Sequence, residues 1–260
     1  MATFSLLVIL LSVVGVSVTA SLSVVGSRHT VEEIKKRNGQ LKNVAVDPFS
    51  KFFTQRLDHF DRSNNVTFSQ RYFVNTTFWD GNANSPVFLC VGGEGTPLDY
   101  TVLTDSVHCS DMTELAPKHN ALMLALEHRY YGPSNPFSDY STEHLKWLNS
   151  EQAAGDIASF YDVMTDTYKL QATNKWVTWG GSYPGMMAAI ARLRYPHLIH
   201  ATVSSSAPLR AEVDMVGYNN VVADSLAAAS AGGSDACLNT VVEGHQTIGK
   251  FVVCLSVSLA

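Results

Sequence analysis

Trp176-Val-Thr-Trp-Gly-Gly-Ser182-Tyr-Pro-Gly-Met-Met-Ala-Ala189 carries the strongest structural signal in the chain. A short apolar run enters Gly-Gly-Ser-Tyr, and a helix-prone run leaves it. A strand that turns sharply into a helix with serine at the corner is a nucleophile elbow. The corner holds the hydroxyl off the backbone at the end of a sheet. Glycines flank it because a side chain there would collide with the neighbouring strand or helix. Ser182 is therefore the candidate nucleophile. Pro184 departs from a strict G-x-S-x-G pattern, but proline in a first helical turn removes only a donor that has no partner anyway.

Working outward, the segments on either side alternate. Val87-Phe-Leu-Cys-Val91, Ala121-Leu-Met-Leu-Ala-Leu126, Trp176-Val-Thr-Trp179 and Ala201-Thr-Val-Ser-Ser-Ser206 read as buried strands. Between them lie a short helix from Asp111, expected to stop near Pro117, and a long one beginning at Asn149. In the long helix Ala153, Ile157, Phe160, Tyr161, Met164 and Tyr168 recur at helical spacing, with Asp156, Asp162 and Asp166 assigned to the opposite face. Buried strands joined by helices imply right-handed crossovers and a parallel sheet. Two earlier runs, 52–57 and 68–74, read as an antiparallel hairpin around Asp58-His-Phe-Asp-Arg-Ser-Asn-Asn. Antiparallel strands, then parallel strands, then a serine elbow is the order of an α/β-hydrolase. After Leu209 the chain becomes Ala-rich and helical in character, without a clear strand.

Serine needs a base, an orienting acid and an oxyanion hole. The backbone N–H of Tyr183 is aimed at a developing oxyanion. A second donor is expected from Gly92-Gly-Glu-Gly95, at the N–H of Gly93 or Glu94. The base and acid find no such place. His197 and His200 fall at the wrong end of the crossover. His245 follows Asp214, Asp224 and Asp235 in the order Ser, acid, His, yet too little chain separates it from the strand at 201–206 for two further helix-strand units.

The ends and the composition bound the rest. Residues 4–20 are apolar, uncharged and close on Val18-Thr-Ala20, the pattern of a secretory signal peptide. Residues 21–50 read as a polar lead-in or propeptide-like segment, with Lys35-Lys-Arg37 a short basic cluster. No other run has the length of a membrane span. Asn65-Val-Thr and Asn75-Thr-Thr are glycosylation acceptors. Cys90, Cys109, Cys237 and Cys254 allow three full pairings, and Cys90, inside an apolar strand, is expected as a buried small hydrophobe. Eighteen basic against 23 acidic residues give a net charge of −5, which argues against nucleic acid as a partner. No motif calls for a metal or cofactor. The organisation expected is a core over 51–210 and a helical segment over 211–260.

Several further motifs stand together: Gln55-Arg-Leu-Asp-His-Phe60, Gln70-Arg-Tyr-Phe73, Gly92-Gly-Glu-Gly95, Glu127-His-Arg-Tyr-Tyr-Gly132, Gly180-Gly-Ser-Tyr183, Tyr195-Pro-His197 and Ser204-Ser-Ser-Ala-Pro208. With them the chain resembles, from Gln55 to Gly244, the family of lysosomal Pro-X carboxypeptidase, dipeptidyl-peptidase II and thymus-specific serine protease, and is most similar to the thymus-specific branch. The resemblance implies an α/β-hydrolase with a helical cap inserted after the strand at 201–206. It implies residence in the secretory pathway, secreted or endosomal-lysosomal, and exopeptidase action on peptides, often at proline-adjacent bonds. Ser182 matches the family nucleophile. The family acid and histidine fall beyond the cap in a chain about twice this length, so the sequence is expected to stop inside the cap and to leave the strand at 201–206 at an open edge. Residues 251–260 are not expected to continue as cap helix. Two readings follow: a serine exopeptidase, or an inactive truncated homologue that binds peptides or a partner. A lipase or esterase on the same fold is disfavoured by the family motifs.

Overall fold

The computed structural model describes residues 47–105, 109 and 111–257, with 252–257 described by their backbone alone. The expected signal peptide, the Lys35 cluster and nearly all of the lead-in lie outside these residues. The chain forms two compact units, one ending at Ala207 and the other starting at Pro208.

The first unit is built on a sheet of β1 (Lys51–Arg56), β2 (Thr67–Asn75), β3 (Val87–Val91), β4 (Leu122–Leu126), β5 (Trp176–Gly181) and β6 (Ile199–Ser205). Their spatial order is β1-β2-β4-β3-β5-β6. β1 and β2 form the expected hairpin, and β2 pairs antiparallel with β4. All other pairings are parallel. The helices are α1 (Asp111–His119), α2 (Ser150–Tyr168) and α3 (Tyr183–Arg194).

Alternation along the strands sorts the core into two layers. Val87, Leu89 and Val91 of β3 join Leu122, Leu124 and Leu126 of β4 on one face, under Ile157, Phe160 and Met164 of α2 and Met187 and Ala188 of α3. Phe88, Cys90, Met123 and Ala125 face the other way, onto Val102, Leu103, Met112 and Trp179. Every residue of β3 and β4 is buried, which is why both strands read as unbroken apolar runs. Two antiparallel strands leading into parallel crossovers, with the sharp turn between β5 and α3, make this an α/β-hydrolase fold.

Details depart from the sequence reading. α1 passes through Pro117 to His119, with Met112 in its first turn and Ala116 in its second both buried in the core. Asp156 does not share the solvent face of Asp162 and Asp166: it is 1% exposed. Cys90 is buried as expected but is not a free hydrophobe: it is disulfide-bonded to Cys109, with Cα atoms 5.8 Å apart.

The second unit holds α4 (Val216–Ala227) and α5 (Asp235–Val257). α5 continues through 251–257, against expectation. That stretch contains neither Gly nor Pro, and β-branched residues alone oppose a helix only weakly. No helix among the described residues is long and apolar enough to cross a membrane.

Candidate active site

β5 ends at Gly181, and α3 begins at Tyr183, so the whole reversal falls on Ser182. Its backbone lies at φ 59°, ψ −128°, a region that favours glycine, and its side chain is exposed. Two hydrogen bonds hold this conformation: Ser182 N–H donates to Ser205 O at 2.9 Å, and Met186 N–H donates to Ser182 O at 3.0 Å. The flanking glycines are steric necessities. A Cβ on Gly180 would overlap the Pro184 carbonyl. One on Gly185 would come within 2.8 Å of Gly180 O and 3.0 Å of Ser205 O. Ser204 Oγ donates to Gly185 O at 2.8 Å and ties the helix start to β6.

The loop after β3 reaches the same corner. A Cβ on Gly93 would overlap the Pro184 ring, so Gly93 packs directly on the elbow, with Glu94 exposed beside it. Among the described residues, none hydrogen-bonds Ser182 Oγ.

The loop after β4 supports the corner from below. Tyr183 Oη donates to His128 Nε2 at 2.8 Å. His128 Nδ1 lies 2.7 Å from Arg129 O, which can only accept, so the neutral ring carries its proton on Nδ1 and accepts at Nε2. Burial pushes the His128 pKa down and keeps the ring neutral. Burial, with Tyr131 and Glu94 nearby, pushes the Tyr183 phenol up to about 12.

The rest of Glu127-His-Arg-Tyr-Tyr-Gly132 fixes that loop in turn. Arg129 is fully buried and forks onto Asp156, Nε to Oδ2 at 2.7 Å and Nη2 to Oδ1 at 2.6 Å. Its remaining donors go to the carbonyls of Leu57, Trp147 and Arg56. Asp156 also meets His59 Nε2 at 2.8 Å, and Gly155 leaves room for that ring. Glu127 pairs with Arg71 at 2.5 Å and accepts from Ser134 Oγ at 2.6 Å and Leu98 N–H at 3.1 Å. Gly132, at φ 50°, has no room for a Cβ beside the Glu127 carboxylate. Sequence reading missed the role of Asp156. Its spacing held the signal, three residues after Ala153 and four before Phe160, on the buried stripe itself.

Other expected residues fall elsewhere. β5 and β6 are parallel and Trp176 pairs with Ile199, so His197 and His200 sit at the opposite end of the strands from Ser182. His245 is an exposed residue of α5 in the second unit, and Asp214, Asp224 and Asp235 are exposed in that unit as well. The two glycosylation acceptors separate. Asn65 is exposed in the β1–β2 connection. Asn75 is buried, its amide donating to Leu103 O at 3.1 Å. No cluster of three or more metal-ligating side chains occurs among the described residues.

Residues 55–254 match the family model described as serine carboxypeptidase S28. The chain belongs to the serine carboxypeptidase S28 family. Its S28 relatives include thymus-specific serine protease of Mus musculus, 41% identical over 191 residues, covering 74% of this chain and 36% of that protein. Lysosomal Pro-X carboxypeptidase of Homo sapiens is 33% identical over 219 residues, covering 82% and 42%. The chain thus spans about two fifths of the length of the curated S28 relatives it matches. Among solved structures, a post-proline cleaving enzyme from Rickettsia typhi overlaps 64% of this chain and 22% of its own at a TM-score of 0.41 and 15% identity.

Proposed function

We propose that the chain carries the nucleophile half of a serine-type exopeptidase acting at proline-adjacent bonds, with Ser182 as nucleophile. The observation that carries this reading is the exposed Ser182 held at φ 59° between β5 and α3. A non-glycine residue kept in that region by its surroundings points to function. The N–H of Tyr183 and that of Gly93 or Glu94 are the oxyanion donors in this proposal, supported by the packing of Gly93 on Pro184. In this proposal the general base and its acid lie C-terminal to the helical unit, as the family resemblance implies. The Cys90–Cys109 disulfide supports a secretory, endosomal or lysosomal location, where thiols are oxidised.

A second reading is a homologue that binds peptides through the same elbow without cleaving them. Fluorophosphonate labelling with peptide mapping separates the two. Modification at Ser182 that is lost in Ser182→Ala supports the peptidase. Peptide binding without labelling, even in a form extended by the C-terminal segment that carries the base in the relatives, supports the alternative.

A further inference from the structure

We propose that His128 is a positioning residue for the oxyanion donor beside Ser182: it holds the phenol of Tyr183 and, through it, fixes the direction of the Tyr183 backbone N–H. The inference rests on the reading of Ser182 as nucleophile and adds a residue that acts on that site through another side chain.

Tyr183 is the first residue of α3, so no carbonyl of that helix can take its N–H. The donor is free for an oxyanion and, for the same reason, has no helical bond to aim it. The peptide plane that carries it is held at its other end, where Met186 N–H donates to Ser182 O at 3.0 Å. One bond leaves a pivot, and the Tyr183 side chain supplies the second hold. That side chain is half-buried, and its Oη donates to His128 Nε2 at 2.8 Å, with the rings 5.5 Å apart. His128 is held in turn. Its Nδ1 donates to Arg129 O at 2.7 Å, Tyr131 packs edge-on at 5.4 Å, and the Arg129 side chain is clamped on Asp156. Packing alone would be served by two apolar rings. Burying an imidazole and a phenol is costly unless their polar atoms are paired, and here both ring nitrogens and the hydroxyl are used. The bond needs a neutral ring, because a protonated imidazole has no acceptor. Burial opposes that protonation and prevails; the Arg129 carbonyl, Asp156 of α2 and Glu94 of the loop after β3 favour it, and the Arg129 guanidinium opposes it. The other titratable groups against the ring, Tyr131 and Tyr183, are phenols whose pKa burial raises, so they stay neutral. The acceptor for Tyr183 is thereby kept as solution turns mildly acidic.

The test compares His128→Leu, His128→Gln and Tyr183→Phe with the parent chain, well below the lowest unfolding midpoint of the set. Glutamine can offer an oxygen near the place of Nε2, and leucine offers no acceptor. Both remove the imidazole ring, so a difference between them reports the hydrogen bond alone. In amide NMR spectra with isotope-labelled tyrosine, the Tyr183 peak is assigned by its loss in Tyr183→Phe. It is expected to shift or broaden in His128→Leu and to return close to its parent position in His128→Gln. Fluorophosphonate modification of Ser182, located by peptide mapping, reads the consequence. His128→Leu and Tyr183→Phe should each slow it by ~10–100-fold, the scale of a slightly misplaced catalytic group. Their double variant should be no slower than either alone, since both cut one bond, and His128→Gln should recover most of the rate. Equal effects of His128→Leu and His128→Gln, additive losses in the double variant, or single variants that label at the parent rate would each overturn the proposal. If His128→Leu does not fold, Tyr183→Phe, which removes one oxygen, still decides it. Labelling of the parent at a rate the variants share removes only the role of His128. A parent that never labels, even when extended by the C-terminal segment that carries the base in the relatives, removes the nucleophile reading and this proposal with it.

Discussion

Arg129 and Asp156 form a two-pronged ion pair at 2.6 and 2.7 Å in which neither side chain is more than 2% exposed. Such a pair resists loss of one partner, because the survivor is left charged and dry. Asp156→Asn is expected to lower unfolding stability by about 3–5 kcal/mol, measured by urea denaturation. A loss under about 1 kcal/mol would place this interaction among the weak surface pairs.

Ser182 gives an opposite expectation for stability and activity. Strain of this kind costs about 1–3 kcal/mol, and glycine relieves it while alanine does not. Ser182→Gly should therefore unfold at higher denaturant than Ser182→Ala, by about 1 kcal/mol after glycine's entropic cost. Any peptide hydrolysis should fall at least ~10³-fold in both. Equal stabilities would mean that Ser182 is not strained.

Asp58 sets an acid limb. Burial opposes its ionisation, but hydrogen bonds from Phe60 N–H, the Gln152 amide, Asp61 N–H and the Trp147 indole outweigh it and hold the carboxyl well below the usual range. A depressed folded pKa contributes stability that is present above the unfolded value near ~3.9 and lost as pH falls below it. Between pH 6 and pH 3 the urea midpoint should fall less steeply in Asp58→Asn than in the parent chain. Parallel slopes would count against this role.

The Cys90–Cys109 bridge closes a loop with a sequence separation of 19. The double substitution Cys90→Ala with Cys109→Ala should cost about 3 kcal/mol by the loop-entropy relation, and reductant should add no further loss to that variant. A double variant as stable as the parent would show that core packing alone secures this segment.

If the chain is made in a secretory host, Asn65→Gln should remove a glycan-dependent mobility shift. Asn75→Gln should leave the shift unchanged and lower the thermal midpoint, since Leu103 O loses its donor. A glycan mapped to Asn75 would contradict the buried amide.

What could be read from the sequence was local. The elbow was legible because serine between glycines, with a strand before and a helix after, is a constraint carried within a few residues. The hairpin and the buried strands were legible for the same reason, through alternation and uninterrupted apolar runs. The site's support was not. Arg129 meets Asp156 across 27 positions, and His128 meets Tyr183 across 55. Neither pairing leaves a local trace. Its acidity suggests solvent for Asp156, although its spacing puts it on the buried stripe. Cys90 reads as a small hydrophobe because nothing near it in sequence reveals Cys109 as its partner.

The clamp on the first hairpin also bears on how the chain is made. Gln55 and His59 reach Asp156 and its backbone across 101 and 97 positions. A ribosome adding roughly 5–20 residues per second has therefore synthesised the hairpin some 5–20 seconds before its anchor emerges. For about the first half of that interval β2 also lacks β4, its sheet partner, so the nascent chain carries a bare, partly apolar strand edge. The hairpin is the first described part of the fold to be written, yet its anchor follows only after β3, α1 and β4 have been made.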